Sequence, residues 1–277
     1  MFDRLPRFAL LLIMPVKEGV CLAKNSPLAE KLSGIKSRIA AAAVKAGRDP
    51  AEVTLIAVTK TAAPEQIREI IRLGVGDLGE SRAQVVTQKV AQINEFYQRQ
   101  KKSGDDDTLP TRLRWHMIGH LQRNKVKAIL PLVDLVHSLD SLRLAEEIEV
   151  AAGKLGKKTP VLLQVNASEE KSKFGVAVGA SVHLAEQIAS MSHLVLVGLM
   201  TMAPLGAELP EAKAVFTRTR EIFEECKWHK IGGSQFKHLS MGMSNDFESA
   251  IAEGATMVRI GTALFGSGAG ESDEHSE

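Results

Sequence analysis

The chain has 277 residues, 44% of them hydrophobic and 25% charged, which is ordinary for a globular protein and long enough for one α/β barrel. Its formal net charge of +2 gives no reason to expect nucleic acid or an anionic membrane as a partner. Cys21 and Cys226 are its only cysteines and form no C-x-x-C pair, so neither a disulfide framework nor a cysteine zinc site is expected. We therefore expect a protein of the reducing cytoplasm.

Residues 1–24 are predicted to be an extension outside the fold. Two arginines precede a short apolar run at residues 8–16 that resembles the core of a signal peptide. The run is too short to span a bilayer, Pro15 interrupts it, and no A-x-A site follows. A start assigned too early, with Met14 as the true first residue, explains the segment equally well.

A leading helix and eight strand-and-helix units are predicted over residues 25–266. Ser26 and Pro27 form a helix start, with serine as the N-cap and proline at the first helical position, and Gly47 ends the helix. Eight strand-like runs follow, separated by segments in which apolar residues recur with helical spacing. The runs lie near residues 53–59, 76–79, 113–118, 133–137, 160–166, 194–200, 236–240 and 256–260.

Strands that alternate with helices predict right-handed βαβ units and a parallel sheet. Eight such units with a leading helix indicate a single-domain α/β fold, a (β/α)₈ barrel of the TIM type. A doubly wound open sheet is the main alternative, but no G-x-G-x-x-G follows the first strand. Residues 103–110 are predicted to form a solvated loop and residues 267–277 an acidic, disordered tail.

Lys60 directly follows the first predicted strand, V-T-L-I-A-V-T, which is apolar enough to be buried on both faces. Because desolvation of an ammonium is costly, a partly buried lysine tends to lose its proton. The free amine is then a nucleophile that can form a Schiff base with an aldehyde. A lysine that snorkels to solvent at the end of a strand is the alternative interpretation.

The loops after the seventh and eighth predicted strands suit a phosphate group, which (β/α)₈ barrels commonly hold at this place. They are Ser240-Met241-Gly242-Met243-Ser244 and Gly261-Thr262-Ala263, and both offer small residues, backbone N–H groups and hydroxyls. Arg259, near the end of the eighth strand, is either a salt-bridged arginine or an inward-facing donor to a ligand. Together with Lys60, these loops could hold the two ends of pyridoxal 5′-phosphate, or of a phosphosugar in a Schiff-base aldolase.

A series of motifs follows in a fixed order over roughly residues 28–266. They are A-V-T-K-T (57–61), D-L-G-E-S (77–81), W-H-M-I-G-H-L-Q-R-N-K (115–125), H-S-L-D-S (137–141), Q-V-N-A-S-E-E-K-S-K-F-G (164–175), G-L-M-T-M (198–202), L-S-M-G-M-S-N-D (239–246) and M-V-R-I-G-T-A-L-F-G (257–266). In this order they resemble the YggS/PROSC family of pyridoxal phosphate homeostasis proteins. The resemblance implies a barrel similar to the N-terminal domain of alanine racemase, carrying pyridoxal phosphate on a lysine.

The resemblance also implies roles for particular residues. Lys60 would form the Schiff base, and Arg259 would face the pyridine nitrogen. Ser240, Gly261 and Thr262 would hold the phosphate, and Met241 and Gly242 would complete the cofactor-binding residues. The family's usual G-E-N is Gly79-Glu80-Ser81 here, so the local hydrogen bonding is expected to lack one side-chain amide.

The resemblance implies a carrier of the cofactor and no catalytic residues. Racemases of the alanine racemase type add a second domain, which lends a tyrosine as the base on the opposite face of the cofactor. This sequence ends shortly after Gly266, and its only tyrosine, Tyr97, follows the second strand, so we expect one of the two bases to be missing. An arginine at the ring nitrogen would also make the ring a poorer electron sink. We expect a monomer that buffers pyridoxal phosphate or delivers it to apo enzymes. A racemase-like enzyme and a phosphosugar aldolase are the alternatives.

Two further features are interpreted as structural. His116 and His120 have the spacing H-x₃-H, but no nearby Asp, Glu or Cys supplies a third ligand, so no metal site is predicted. His116 is interpreted as a histidine of the core or of the site wall. Lys173, in the loop after the fifth strand, is interpreted as a surface lysine, with a second acceptor of the aldehyde as the alternative.

Overall fold

The structure is a computed structural model that describes residues 26–103, 108–170 and 172–266. The predicted N-terminal extension, the predicted acidic tail and residues 104–107 of the predicted solvated loop lie outside the described residues. In the part of the chain that the structure describes, no helix is both long and apolar enough to cross a membrane.

The described strands form one parallel sheet that closes into a barrel. The strands are β1 (Thr54–Val58), β2 (Asp77–Glu80), β3 (Arg114–Met117), β4 (Leu135–Leu139), β5 (Thr159–Asn166), β6 (Val176–Ala177), β7 (Leu194–Met200), β8 (His238–Ser240) and β9 (Met257–Ile260). They are hydrogen-bonded in the order β4-β3-β2-β1-β9-β8-β7-β5, and β4 pairs with β5 to close this ring of eight. The two-residue β6 pairs with β5 outside this ring. The predicted (β/α)₈ barrel is confirmed, and each predicted run corresponds to one strand of the ring.

Helices cover the outside of the barrel. They are α1 (Pro27–Lys45), α2 (Pro64–Arg72), α3 (Ala83–Ser103), α4 (Val126–Ile129), α5 (Leu142–Lys154), α6 (Val178–Ala189), α7 (Leu209–Trp228), α8 (Phe247–Ala252) and α9 (Thr262–Phe265). The leading helix α1 begins as predicted, because the Ser26 hydroxyl accepts a hydrogen bond from the Ala29 N–H at 3.0 Å. It ends at Lys45, and Gly47 then adopts a left-handed φ of 69°.

Two apolar regions stabilise the barrel. The larger one lies between the strands and the helices and includes the fully buried Ile67, Ile70 and Ile71 of α2. A smaller cluster fills part of the barrel interior and consists of Ile56, Leu135, Leu162, Val197, Met200 and Met257. Because successive residues of a strand point to opposite faces, the inward position of Ile56 fixes which side chains of β1 face the interior.

Candidate functional site

Lys60 lies at the C-terminal end of β1, two residues beyond the last residue of the strand. The alternation that places Ile56 inside the barrel continues to Val58, the last residue of β1, and Lys60 follows in a turn at the same end of the barrel. Lys60 is half-buried, and its carbonyl oxygen accepts a hydrogen bond from Arg82 Nη2 at 2.8 Å. This is the place that the sequence predicted for the reactive lysine.

A buried ion pair supports the backbone next to Lys60. Lys89 Nζ lies 2.5 Å from Glu80 Oε2 and donates to the Thr59 carbonyl oxygen at 2.7 Å. The Glu80 side chain is 1% exposed, and its Oε1 accepts from the backbone N–H groups of Ser81 and Arg82 at 2.8 and 3.2 Å. This pair was not predicted from the sequence, although a glutamate at the end of an otherwise buried strand was a signal for it.

Arg259 is 3% exposed and lies inside the barrel on β9. Its Nη1–H donates to Ser240 Oγ at 2.6 Å, and its Nη2–H donates to the Thr201 carbonyl oxygen at 2.9 Å. Burial lowers the pKa of Arg259 to about 10, and the nearby Asp246 carboxylate opposes this effect. The guanidinium therefore remains a cation at neutral pH and, of its five N–H donors, commits two to these bonds.

The two loops predicted to hold phosphate lie side by side after β8 and β9. The Arg259 N–H donates to the Gly242 carbonyl oxygen at 3.0 Å, and the Ala263 N–H donates to Ser244 Oγ at 3.2 Å. Gly242 has a φ of 90°, and a Cβ atom there would lie 2.6 Å from the Ala250 Cβ, so only glycine fits this turn. Thr262 is exposed at the first residue of α9.

The second of these loops, after β9, lies next to the segment that carries Lys60. β1 pairs with β9, and Ala57 is the register partner of Ile260. A Cβ atom on Gly261 would lie 3.3 Å from the Val58 Cβ, so the two segments of the chain stay close beyond the paired residues. The structure thus brings Lys60, Arg259 and both loops to one end of the barrel. The individual roles predicted for Lys60, Ser240, Met241, Gly242, Arg259, Gly261 and Thr262 stay predictions.

Two of these residues are buried more deeply than a direct ligand contact requires. Met241 is fully buried in the main apolar core, and Ser240 is fully buried inside the barrel. The Ser240 hydroxyl already has two protein partners, Arg259 Nη1 at 2.6 Å and His137 Nδ1 at 2.9 Å. Thr262 is consequently the better placed of the two predicted hydroxyls for a contact with phosphate.

A chain of buried polar side chains continues from Ser240 across the barrel. His137 Nε2 lies 2.9 Å from His116 Nδ1, and His116 Nε2 lies 3.0 Å from Asp77 Oδ1. Burial lowers the pKa of His137 well below its ordinary value, and the positive charge of Arg259 acts in the same direction. Burial alone would raise the pKa of Asp77, but hydrogen bonds from His116 and Arg114 outweigh it, so the net change is downward.

His116 and His120 do not share a site. The strand ends at Met117, so the two-residue period that would place both on one face does not extend to His120. His116 is buried in the barrel interior, as predicted for a core histidine, whereas His120 stacks on Phe174 with 3.9 Å between ring centroids. Within residues 26–103, 108–170 and 172–266, no group of three or more His, Cys, Asp or Glu side chains is arranged to hold a metal ion.

Two other residues considered in the sequence have defined partners. Lys173 Nζ lies 2.8 Å from Glu170 Oε1 in the loop between β5 and β6. Tyr97, the only tyrosine of the chain, is 4% exposed in α3, and its hydroxyl donates to the Pro110 carbonyl oxygen at 2.7 Å. Its burial on the outside of the barrel excludes Tyr97 as a base at the mouth.

Comparisons with known proteins agree with this geometry. A family model described as the alanine racemase N-terminal domain matches residues 28–268, so the fold is that of this class of barrel. A relative from Aquifex aeolicus named pyridoxal phosphate homeostasis protein is 39% identical over 237 residues, which are 86% of this chain and 96% of the relative. The chain therefore belongs to the pyridoxal phosphate homeostasis proteins within the alanine racemase N-terminal domain family, as its motifs predicted.

Solved structures show the same barrel. PipY of Synechococcus elongatus, solved with PLP bound, has a TM-score of 0.72 and 32% sequence identity to this chain, covering 86% of this chain and 100% of its own. An alanine racemase of Clostridium difficile has a TM-score of 0.62 at 15% identity, covering 88% of this chain and 57% of the racemase. The second likeness concerns the fold alone, and it confirms the predicted similarity to alanine racemase.

Proposed function

We propose that this protein binds pyridoxal 5′-phosphate reversibly through a Schiff base at Lys60 and acts as an intracellular buffer or carrier of the cofactor. The observation that carries the proposal is the position of Lys60, at the C-terminal end of β1 and beside the loop after β9, the strand that pairs with β1. The names of the relatives and the bound ligand of PipY support the same cofactor.

The residues present fit the chemistry of this ligand. Its aldehyde condenses with a primary amine with loss of water, and Lys60 supplies such an amine. The Thr262 hydroxyl and the backbone N–H groups around Gly242 and Gly261 are suited to a phosphate dianion. Arg259 can only donate hydrogen bonds, so it suits an unprotonated ring nitrogen.

A carrier role agrees with what surrounds the lysine. Amino-acid racemisation needs a base on each face of the cofactor, and the only tyrosine of the chain is buried elsewhere. An arginine at the ring nitrogen does not favour the protonated ring that serves as an electron sink. We propose that apo enzymes are the acceptors, that the protein is a monomer and that it acts in the cytoplasm.

The test begins with the purified protein and pyridoxal phosphate. Borohydride reduction followed by peptide mapping is expected to place the adduct on Lys60, and Lys60→Ala is expected to lose both the adduct and the visible absorption band. Lys173→Ala is the matched control and is expected to keep both. A native adduct on Lys173 or Lys125 would contradict the assignment.

The carrier role has its own measurement. The loaded protein is incubated with each enantiomer of alanine and serine in heavy water, and a parallel sample is mixed with an apo pyridoxal phosphate enzyme. We expect recovery of the enzyme's activity and no sustained exchange of the α-proton. Steady exchange near the typical enzyme turnover of about 10 per second would instead support the racemase-like alternative.

A further inference from the structure

We propose that the buried chain Asp77–His116–His137–Ser240 is a positioning device for Arg259, with His137 and Ser240 as positioning residues of the cofactor site. The chain connects strands on different sides of the barrel: β2, β3 and β4 on one side, β8 and β9 on the other. The role of Arg259 toward the ligand rests on the proposed function, whereas the arrangement of protons in the chain does not.

The direction of the hydrogen bonds follows from the two ends of the chain. At one end Arg259 can only donate, so Ser240 Oγ accepts its Nη1–H at 2.6 Å. At the other end the Asp77 carboxylate also receives Arg114 Nη2 at 2.7 Å and is held ionised, so it can only accept. The Ser240 hydroxyl hydrogen has His137 Nδ1 as its acceptor, so the histidines between these ends pass hydrogen bonds from Ser240 toward Asp77.

One pair of neutral tautomers satisfies every member of the chain. His116 carries its proton on Nε2 and donates to Asp77 Oδ1, which leaves Nδ1 as an acceptor. His137 then carries its proton on Nε2 and donates to His116 Nδ1, which leaves its own Nδ1 to accept the Ser240 hydroxyl hydrogen. The opposite tautomer of His116 would direct a lone pair at the ionised Asp77 carboxylate.

This arrangement determines what the site offers to a ligand. The Ser240 hydroxyl hydrogen is committed to His137, so the oxygen presents a lone pair to Arg259 and no donor to a phosphate. Ser240 Oγ and the Thr201 carbonyl oxygen then fix the plane of the guanidinium from two directions. In this way the chain orients Arg259, and Ser240 acts through Arg259.

The anchor of the chain lies at the end of the barrel opposite Lys60. Asp77 and His116 line a cavity of about 520 Å³ whose other walls include Thr54 and Met257, the first residues of β1 and β9. A substitution at Asp77 therefore perturbs Arg259 without touching the cofactor loops. This separation lets an experiment distinguish positioning from direct contact.

The first test needs no ligand. In protein labelled with ¹⁵N at histidine, we expect the imidazole shifts of His116 and His137 to place the proton of each ring on Nε2. We also expect His137 to remain neutral from about pH 8 to about pH 6. In Asp77→Asn the carboxylate no longer selects the tautomer, so a mixture is expected at His116. A proton on His137 Nδ1, or a cationic His137 in this pH range, would overturn the proposal.

The second test uses two fully buried serines. Ser138 Oγ is buried without a hydrogen-bond partner among the described residues, whereas Ser240 is part of the chain. We expect Ser240→Ala to weaken the affinity for pyridoxal phosphate at least about tenfold, a change of about 1.4 kcal/mol. Ser138→Ala is expected to leave the affinity within about twofold of the native protein.

A double variant distinguishes an effect of the hydrogen-bonded residues on Arg259 from a general loss of stability. His137→Leu and Ser240→Ala should weaken binding by similar factors, and the double variant by no more than either, because both act through Arg259. Native affinity in Ser240→Ala, equal losses in Ser240→Ala and Ser138→Ala, or additive losses in the double variant would each overturn the proposal. If the native protein formed no adduct at Lys60, the proposed function would fail, while the tautomers would still be decided by the ligand-free spectra.

Discussion

Replacement of Lys89 by methionine is expected to destabilise the protein by about 3–5 kcal/mol, the usual cost of removing one partner of a buried ion pair. The Glu80 side chain is 1% exposed and that of Lys89 13%, and their charged atoms lie 2.5 Å apart. Without the ammonium, the Glu80 carboxylate would be buried with no countercharge, and the Thr59 carbonyl oxygen would lose its donor.

The remaining hydrogen bonds of Glu80 place the expected loss at the lower end of this range. Its oxygens still accept from the N–H groups of Ser81 and Arg82 and from the Thr59 hydroxyl at 3.3 Å. We therefore expect Lys89→Met to lower the free energy of unfolding by about 3 kcal/mol, measured by urea unfolding of the cofactor-free protein. An unchanged slope m would show that the variant still unfolds in the same two-state transition.

A surface pair provides the control for this measurement. Lys127 Nζ lies 3.9 Å from Glu147 Oε1, with 69% and 33% of the two side chains exposed, and exposed pairs contribute about 0–1 kcal/mol. Lys127→Met should therefore change the free energy of unfolding by less than about 1 kcal/mol. Equal losses in Lys89→Met and Lys127→Met would refute the reasoning. So would the absence of any recovery when Glu80→Gln is added to Lys89→Met, because that change removes the uncompensated charge.

Two further predictions concern stability. Burial, with the charges of nearby cationic residues, lowers the pKa of His238 from 6.5 to about 4, so the unfolded chain takes up the proton first as the pH falls. The contribution is complete above pH 6.5 and is lost toward pH 4. At about 1.4 kcal/mol per pKa unit, this contribution to the free energy of unfolding is at most roughly 3 kcal/mol. His238→Gln should therefore flatten the pH dependence of the free energy of unfolding, measured in urea. An unchanged pH dependence would contradict this prediction. Gly119→Ala would place a Cβ atom 2.1 Å from the Ser81 carbonyl oxygen and should destabilise the protein by at least about 1–3 kcal/mol, measured by thermal unfolding. Gly179 lies in open space on α6, so Gly179→Ala is the control and should not destabilise the protein. Equal midpoints of thermal unfolding for the two variants would contradict this prediction.

The strands of the barrel could be predicted because their signal is local. Each apolar run is bounded by polar or turn residues and is followed by a segment with helical spacing of its apolar residues. The number and the order of the strand-and-helix units can therefore be predicted from the sequence. The start of α1 is equally local, since Ser26 and Pro27 carry the cap chemistry in two adjacent residues. Boundaries differ most at β4 and β8, where Val133 and Phe236 belong to the apolar run but precede the paired residues.

The polar contacts inside the barrel could not be predicted, because they join residues far apart in sequence. His137 and Ser240 are separated by 103 positions, whereas Glu80 and Lys89 are nine residues apart and left a signal in the sequence. The two-residue period of a strand predicts that His137 and Ser240 both point into the barrel interior. It does not predict which inward-pointing residues face one another across the barrel. That depends on strand order and register, which only the closed ring defines.

Two separate sets of polar contacts position different parts of the site. Glu80 and Lys89 hold the backbone beside Lys60 from the helical side of the sheet, while His137 and Ser240 hold Arg259 from the barrel interior. Because each of these groups finds its partners within the protein, their orientation does not depend on a ligand. Binding to such a site spends little free energy on ordering side chains. Release correspondingly breaks few protein contacts, and that is the property that reversible loading and delivery of a cofactor require.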